Sequence, residues 1–120
     1  PSRCLVLEME SSHITRKKHI IADDFPQAFE AAAADLDGDG DIDVVATAEG
    51  GGAILWFENR GDPKGKWTPH VLKANWSKAN SVIIVDLNKD GRPDIAATAE
   101  RLNTYIEIAI GTKQHVRWKS

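Results

Sequence analysis

Little in this chain of 120 residues could cross-link it, carry it through a membrane or fasten it to nucleic acid. The single cysteine, Cys4, excludes an intrachain disulfide framework and leaves the redox compartment open. No apolar run approaches the roughly 20 residues that a helix needs to span a bilayer. Lysine and arginine are scattered, apart from Arg16, Lys17 and Lys18. With a net charge of -3 the chain lacks the basic footprint of a nucleic-acid binder. The opening PSRCLVLEMESS has a short apolar patch without the layered order of a secretion signal. There is no nucleophile elbow, P-loop or HExxH helix, so no motif argues for an enzyme. What remains is the composition of an ordinary globular domain, 42% hydrophobic and 28% charged, long enough for one core.

The chain repeats itself. A shift of 51 positions lays HIIADDFPQAFEAAAADLDGDGDIDVVATAE (19–49) on HVLKANWSKANSVIIVDLNKDGRPDIAATAE (70–100) without a gap. His19 falls on His70, Asp35 on Asp86, Asp43 on Asp94, Thr47 on Thr98 and Glu49 on Glu100. Trp67 falls on Trp118.

The repeat resolves a local ambiguity. QAFEAAAA (27–34) has high helix propensity, yet its counterpart ANSVIIV (79–85) is a β-branched run that reads as a buried strand. Equivalent segments should fold alike, so 28–34 is expected to be a strand whose small side chains permit close packing. DVVATA (43–48) and DIAATA (94–99) follow as strands, then AILWFEN (53–59) and TYIEIAI (104–110). WTPHVLK (67–73) closes the first unit, and RWKS is its counterpart at the end of the second. Gly50-Gly51-Gly52 and NRGDPKGK (59–66) punctuate them as turns. Each unit thus holds about four short strands, here A to D, the size of one propeller blade. CLVLEM (4–9) and ITRKKHIIA (14–22) read as a C and a D strand of a preceding blade. The expected fold is all-β. It has about two and a half four-stranded blades in one domain: a partial blade at 1–22, then blades at 23–73 and 74–120.

The most concentrated chemistry lies in DLDGDGDID (35–43). Counting Asp35 as position 1, carboxylates fall at 1, 3, 5 and 9 (Asp35, Asp37, Asp39, Asp43), with Gly40 at position 6. The second loop offers Asp86, Asn88, Asp90 and Asp94 with Gly91 at the same place. Alternation brings the odd-numbered side chains of a tight loop to one centre. Position 7, Asp41 or Arg92, can add a backbone carbonyl, and an arginine there is acceptable because only its carbonyl is needed. These are hard oxygen ligands in the number and spacing that Ca²⁺ prefers. Carboxylates so crowded repel one another unless a cation sits among them. An EF-hand would place glutamate at position 12, where this chain has Ala46 and Ala97, and would continue into a helix. Two Ca²⁺ sites are therefore expected, the first loop the tighter.

The combination of ADLDGDGDIDVVATA, VDLNKDGRPDIAATA, WFENRG and WTPHVL resembles the FG-GAP-like, or VCBS-type, repeat over roughly residues 16–118. Such repeats form β-propeller blades, as in integrin α-chain heads and many bacterial secreted proteins. The resemblance implies that the calcium loop joins strands A and B of a blade. Its ligands would be Asp35, Asp37, Asp39, Asp43 and the Asp41 carbonyl, with Asp86, Asn88, Asp90, Asp94 and the Arg92 carbonyl in the second loop. It also implies an extracellular, periplasmic or cell-surface setting.

Two complete units fall short of the four to eight blades of a typical ring. The chain is either part of a longer propeller, a protomer that completes a ring by self-association, or an open stack capped by its N-terminal piece. Self-association is the expectation. His13, His19, His70 and His115 read as packing residues, since His19 and His70 recur and an active site needs one asymmetric constellation. Trp67 and Trp118 recur and read as core. Trp76, in the connection KANWSKAN, is the candidate for an exposed ligand-binding surface. The functional expectation is a calcium-binding, non-catalytic module for a glycan or protein partner. A purely structural blade pair and a non-catalytic part of a lyase-like propeller enzyme are the alternatives.

Overall fold

The computed structural model describes residues 4–9, 16–22, 28–48, 52–76, 78–99, 106–111 and 116–119. They form β1 (Cys4–Met9), β2 (Arg16–Ala22), β3 (Ala28–Ala34), β4 (Asp43–Ala48) and β5 (Ala53–Glu58). β6 (Thr68–Lys73), β7 (Ala79–Val85), β8 (Asp94–Ala99), β9 (Ile106–Gly111) and β10 (Val116–Lys119) complete them. There is no helix among the described residues, so none is long and apolar enough to cross a membrane. All pairing is antiparallel. β1 and β2 form a hairpin, and each repeat unit forms a four-stranded meander, β3-β4-β5-β6 and β7-β8-β9-β10. The all-β, blade-like expectation holds. The opening residues 14 and 15, the Gly-rich 50–51, Glu49, Glu100, His13 and His115 lie outside the described residues.

QAFEAAAA becomes a strand because the repeat packs it as one. β3 is an inner edge strand, and β7 lies against both β3 and β4. Ala32 packs on the inter-blade core, where a larger side chain would hold β7 away, and this tertiary fit overrides the local helix preference.

The first blade is covered on both sides, and β4 is buried along its whole length. Because strand side chains alternate, Val44, Ala46 and Ala48 take one face with Phe57 and Trp67, packed against Ile21 and Ala22 of β2. Val45 and Ile54 take the other face and join Trp76, Ala79, Val82, Ile95, Ala97 and Ala99 of the second blade in one core. The stacking order is therefore hairpin, first blade, second blade. Ile95, Ala97 and Ala99 are the counterparts of Val44, Ala46 and Ala48. Each blade thus turns the same face toward its predecessor.

The inner strands carry matching irregularities. The register of β3 on β4 shifts between Ala28 and Ala31, and that of β7 on β8 between Ala79 and Val82. Thr47, fully buried, fills the first bulge. Its hydroxyl accepts from the Glu30 amide at 3.1 Å and donates to the Asn80 carbonyl at 2.8 Å, which joins the two blades. Thr98, in the equivalent place, donates to Asn80 Oδ1 at 2.7 Å.

Trp76 corrects the sequence reading. It is only 6% exposed, not a rim residue open to a ligand. Its amide donates to the Gly52 carbonyl at 2.8 Å, which folds the connection back over the β4–β5 turn. The indole thereby caps the inter-blade core beside Val45 and Ile54, with the Lys73 ammonium 5.6 Å from the ring centroid. Burial of a large apolar ring outweighs the local signal of a polar connecting segment. Trp67 is buried, as expected, and its Nε1 donates to the Pro63 carbonyl. His19 on β2 is buried, and His70 on β6 stacks on Trp56 with centroids 4.5 Å apart.

Candidate metal centre

Both aspartate loops join the first and second strands of a blade, running between β3 and β4 and between β7 and β8. Their turns are built by the carboxylates themselves. In the first loop Asp35 Oδ1 accepts from the amides of Gly38 (2.9 Å) and Asp39 (3.1 Å), and Oδ2 accepts from Gly40 (2.8 Å). Asp37 Oδ1 accepts from the Asp39 amide at 3.2 Å, and Asp39 Oδ1 from the Asp41 amide at 2.8 Å. Asp37 and Asp39 therefore each cap the amide two residues on, the local bond that makes aspartate a turn former, while Asp35 gathers the amides three to five residues on. The second loop repeats the pattern. Asp86 accepts from the amides of Asp90 and Gly91, Asn88 Oδ1 from Asp90, and Asp90 Oδ1 from Arg92 at 2.9 Å. Gly40 (φ 94°) and Gly91 (φ 87°) make the sharp turn in the left-handed region that glycine enters without strain.

The result is a cluster. Asp35, Asp37 and Asp39 each offer a carboxylate oxygen, and these oxygens lie within 4.8 Å of one another. Three anionic oxygens facing one point could hold a metal ion, and with no nitrogen or sulfur donor among them the set suits a hard cation. The electrostatics fit. Desolvation, with the charges of Asp43 and Asp39 nearby, pushes Asp37 up to about 6. The Gly40 amide, with those of Gly38 and Asp39, holds Asp35 below the usual carboxylate range. One carboxylate is thus held ionised by backbone amides while desolvation makes its neighbour resist losing its proton.

Asp43 and Asp94 stand apart from this triad. Both are fully buried at the base of their loops. Asp43 Oδ2 accepts from the Leu36 amide at 3.0 Å and Oδ1 from the Asn59 amide at 2.9 Å. Asp94 Oδ2 accepts from the Leu87 amide at 2.8 Å, the equivalent contact. Burial pushes the Asp43 carboxyl up, against the pull of the Asn59 and Leu36 amides. The position-9 aspartates pin the two ends of each loop together. The structure thus gathers Asp35, Asp37 and Asp39, and places Asp43 beneath them as a clasp. The second loop gathers two carboxylates and the Asn88 amide in the same turn.

Asn59, in the motif WFENRG, is a contributor that reading for carboxylates passes over. Its Nδ2 donates to the Ile42 carbonyl at 3.1 Å while its backbone amide holds Asp43, so the end of β5 buttresses the first loop. Its Oδ1 accepts from the Gly61 amide, which folds the 59–66 turn around it. The register of β9 on β8, with Ala109 opposite Ile95 as Phe57 is opposite Val44, places Gly111 at the equivalent position, so the residue there has no side chain to brace the second loop.

Residues 15–97 match the family model of the FG-GAP-like repeat, a span that contains both loops and all of the first blade. The chain belongs to the FG-GAP-like repeat family. No curated protein and no solved structure matches it. Membership makes the chain a β-propeller-like module, in agreement with its blade sheets. In this FG-GAP-like chain the aspartate loops sit at one end of each blade. The turn 59–66 flanks the first of them, and the strands hold both in register.

Proposed function

We propose that the chain is a calcium-stabilised, non-catalytic propeller-type module that recognises a partner outside the cytoplasm. The observation that carries the calcium reading is the convergence of Asp35, Asp37 and Asp39, repeated in backbone geometry at Asp86, Asn88 and Asp90. Ca²⁺ would neutralise the crowded carboxylates and hold the A–B loop of each blade. Asp43 and Asp94, with the carbonyls of Asp41 and Arg92, complete the candidate ligand sets. The first loop, with one more carboxylate than the second and the Asn59 brace, would bind the tighter. Family membership supports an extracellular, periplasmic or cell-surface setting, where calcium modules work at about 10⁻⁴–10⁻³ M.

Burial of Trp76 removes the exposed aromatic platform that would suit a sugar ring. Among the described residues the exposed large hydrophobics are aliphatic except for Phe29, which favours a protein partner over a glycan, a second copy of the chain included. A purely structural role for the blade pair is the second reading, supported by how much of each loop serves to hold strands in register. Thermal unfolding followed with EDTA and again with excess Ca²⁺ tests the proposal. Ca²⁺ should raise the midpoint by several degrees at saturation, as binding to the native state alone requires. Identical transitions in the two conditions would remove both loops as calcium sites.

A further inference from the structure

The connection between the two blades carries a motif that neither the calcium loops nor the core accounts for. Of the five asparagines in the chain only Asn75 has a hydroxyl residue two places on, in Asn75-Trp76-Ser77. Asparagine, then any residue except proline, then serine or threonine is the acceptor pattern for N-linked sugar. So short a pattern recurs by chance, and its placement decides what it is worth.

The placement suits an acceptor. β3 runs toward its calcium loop, and β6, three strands on in an antiparallel meander, runs away from it. The connection after β6 therefore lies at the end of the first blade opposite that loop. Ala74, Asn75 and Lys78 are exposed there, while Trp76 turns into the core. The middle residue of the motif is the anchor, held by its indole and by its amide on the Gly52 carbonyl. The asparagine beside it stands in solvent.

The backbone does not account for the asparagine. Asn75 has φ 57°, in the left-handed region that asparagine enters more readily than most residues. Lys78 (φ 58°) and Lys89 (φ 60°) hold the same conformation, so the chain fills such positions without asparagine. The repeat separates structure from chemistry in the same way. The shift of 51 sets Asp24-Phe25-Pro26 against Asn75-Trp76-Ser77. A large aromatic residue stands in the middle of both, as the core-capping place of Trp76 leads one to expect. The amide and the hydroxyl that define an acceptor stand only in the second, where the first has a carboxylate and a proline.

We propose that Asn75 is an N-glycosylation acceptor, taking an oligosaccharide from a lipid pyrophosphate carrier. The bond formed joins Asn75 Nδ2 to the anomeric carbon of the first sugar. The bond broken is that carbon's link to the pyrophosphate, which departs with the electron pair, and the amide gives up one proton to the transferase. Transfer acts on the extended chain, before Trp76 is buried, and folding then leaves the sugar outside. The proposal rests on the reading of the chain as a module that works outside the cytoplasm.

The test is the intact mass of the full chain, led by an added signal sequence through a eukaryotic secretory pathway, before and after treatment with peptide N-glycosidase. Thermal unfolding verifies the fold of every variant. The secreted wild-type chain should carry one oligosaccharide, and its release should convert Asn75 to aspartate. Ser77→Ala should abolish the modification with Asn75 still in place, and Ser77→Thr should retain it. Asn75→Asp should abolish it while keeping a residue that tolerates the left-handed turn. A secreted wild-type chain without sugar overturns the proposal, as does a sugar that survives Ser77→Ala or Asn75→Asp. The setting is tested apart, by locating the chain in the cells that make it. A cytoplasmic chain would defeat that reading, while the mass still decides the acceptor.

Discussion

The Glu30 carboxylate accepts a hydrogen bond from the Val82 amide at 3.0 Å, across the seam between the two blades. Both residues sit at the bulges of their inner strands, where a backbone amide loses its regular ladder partner. Thr47 works the same seam from below, bonded to the Glu30 amide and the Asn80 carbonyl. The bulges are therefore where two repeat units are locked in one relative position. Thr47→Val keeps the shape and leaves two buried polar groups without that partner, so it should cost about 2 kcal/mol. Glu30→Ala, at an exposed residue, should cost about 1 kcal/mol. Chemical denaturation with an unchanged slope would measure both. Equal and negligible effects would mean that the apolar contact alone fixes the blades.

Asp37 and Asp43 lie in one loop but should respond differently to removal of a carboxylate. Asp43 is fully buried and accepts two backbone amides, so Asp43→Asn turns an amide donor toward one of them. It should destabilise the chain by about 2 kcal/mol whether or not Ca²⁺ is present. Asp37 is part of the triad and accepts one exposed amide. Asp37→Asn should leave the calcium-free midpoint unchanged or raised and diminish the gain from Ca²⁺. If both variants lose stability equally in EDTA, Asp37 serves the metal-free loop as a clasp in the way Asp43 does.

Much of this arrangement is legible in the sequence because it is written twice. The Ala-rich 28–34 would pass for a helix alone, and only the β-branched partner at 79–85 reveals it as a strand. The spacing of Asp35, Asp37 and Asp39 suffices to foresee their convergence, since alternation along a tight turn is a local property. What the sequence hides is the work done at a distance. That Glu30 reaches Val82, or that Asn59 braces Asp43, depends on register and on bulges that have no compositional signature. Trp76 misleads for the same reason. Its neighbours Lys73, Asn75 and Lys78 are polar, while the core it caps is assembled from strands far away in the chain.

The acid response of the metal-free chain follows from the triad. Asp37 titrates at about 6 in the folded state, raised chiefly by desolvation, against about 3.9 for a free aspartate. A raised folded value means that the native state binds the proton more tightly than the unfolded chain does. The stability this provides is fully present below about 4 and is lost as pH rises through about 6. Asp43, also raised, adds in the same direction. In EDTA the melting midpoint should therefore climb as pH is lowered from 7 toward 5, while saturating Ca²⁺ should reverse the trend because protons compete with the ion. A metal-free midpoint that falls over this range would show that Asp37 and Asp43 are not held above the usual carboxylate range in the folded chain.

The backbone of the second loop carries a cost that the first avoids. Lys89 adopts φ 60° where the first loop has Gly38 at φ 76°. A side chain in the left-handed region is disfavoured by about 1 kcal/mol, and glycine is not. Lys89→Gly relieves that strain but increases the freedom of the unfolded chain, which offsets part of the gain. The net expectation is a stabilisation of about 0.5 kcal/mol and a second loop that closes more readily around Ca²⁺. The reciprocal change, Gly38→Ala, meets no steric obstacle, since no atom lies within 4 Å of the added Cβ. Whatever it costs, about 1 kcal/mol, is therefore the cost of backbone conformation alone. Measuring the two variants side by side by chemical denaturation separates strain from packing. Should Lys89→Gly destabilise the chain, the lysine must be earning its strained conformation through its side chain.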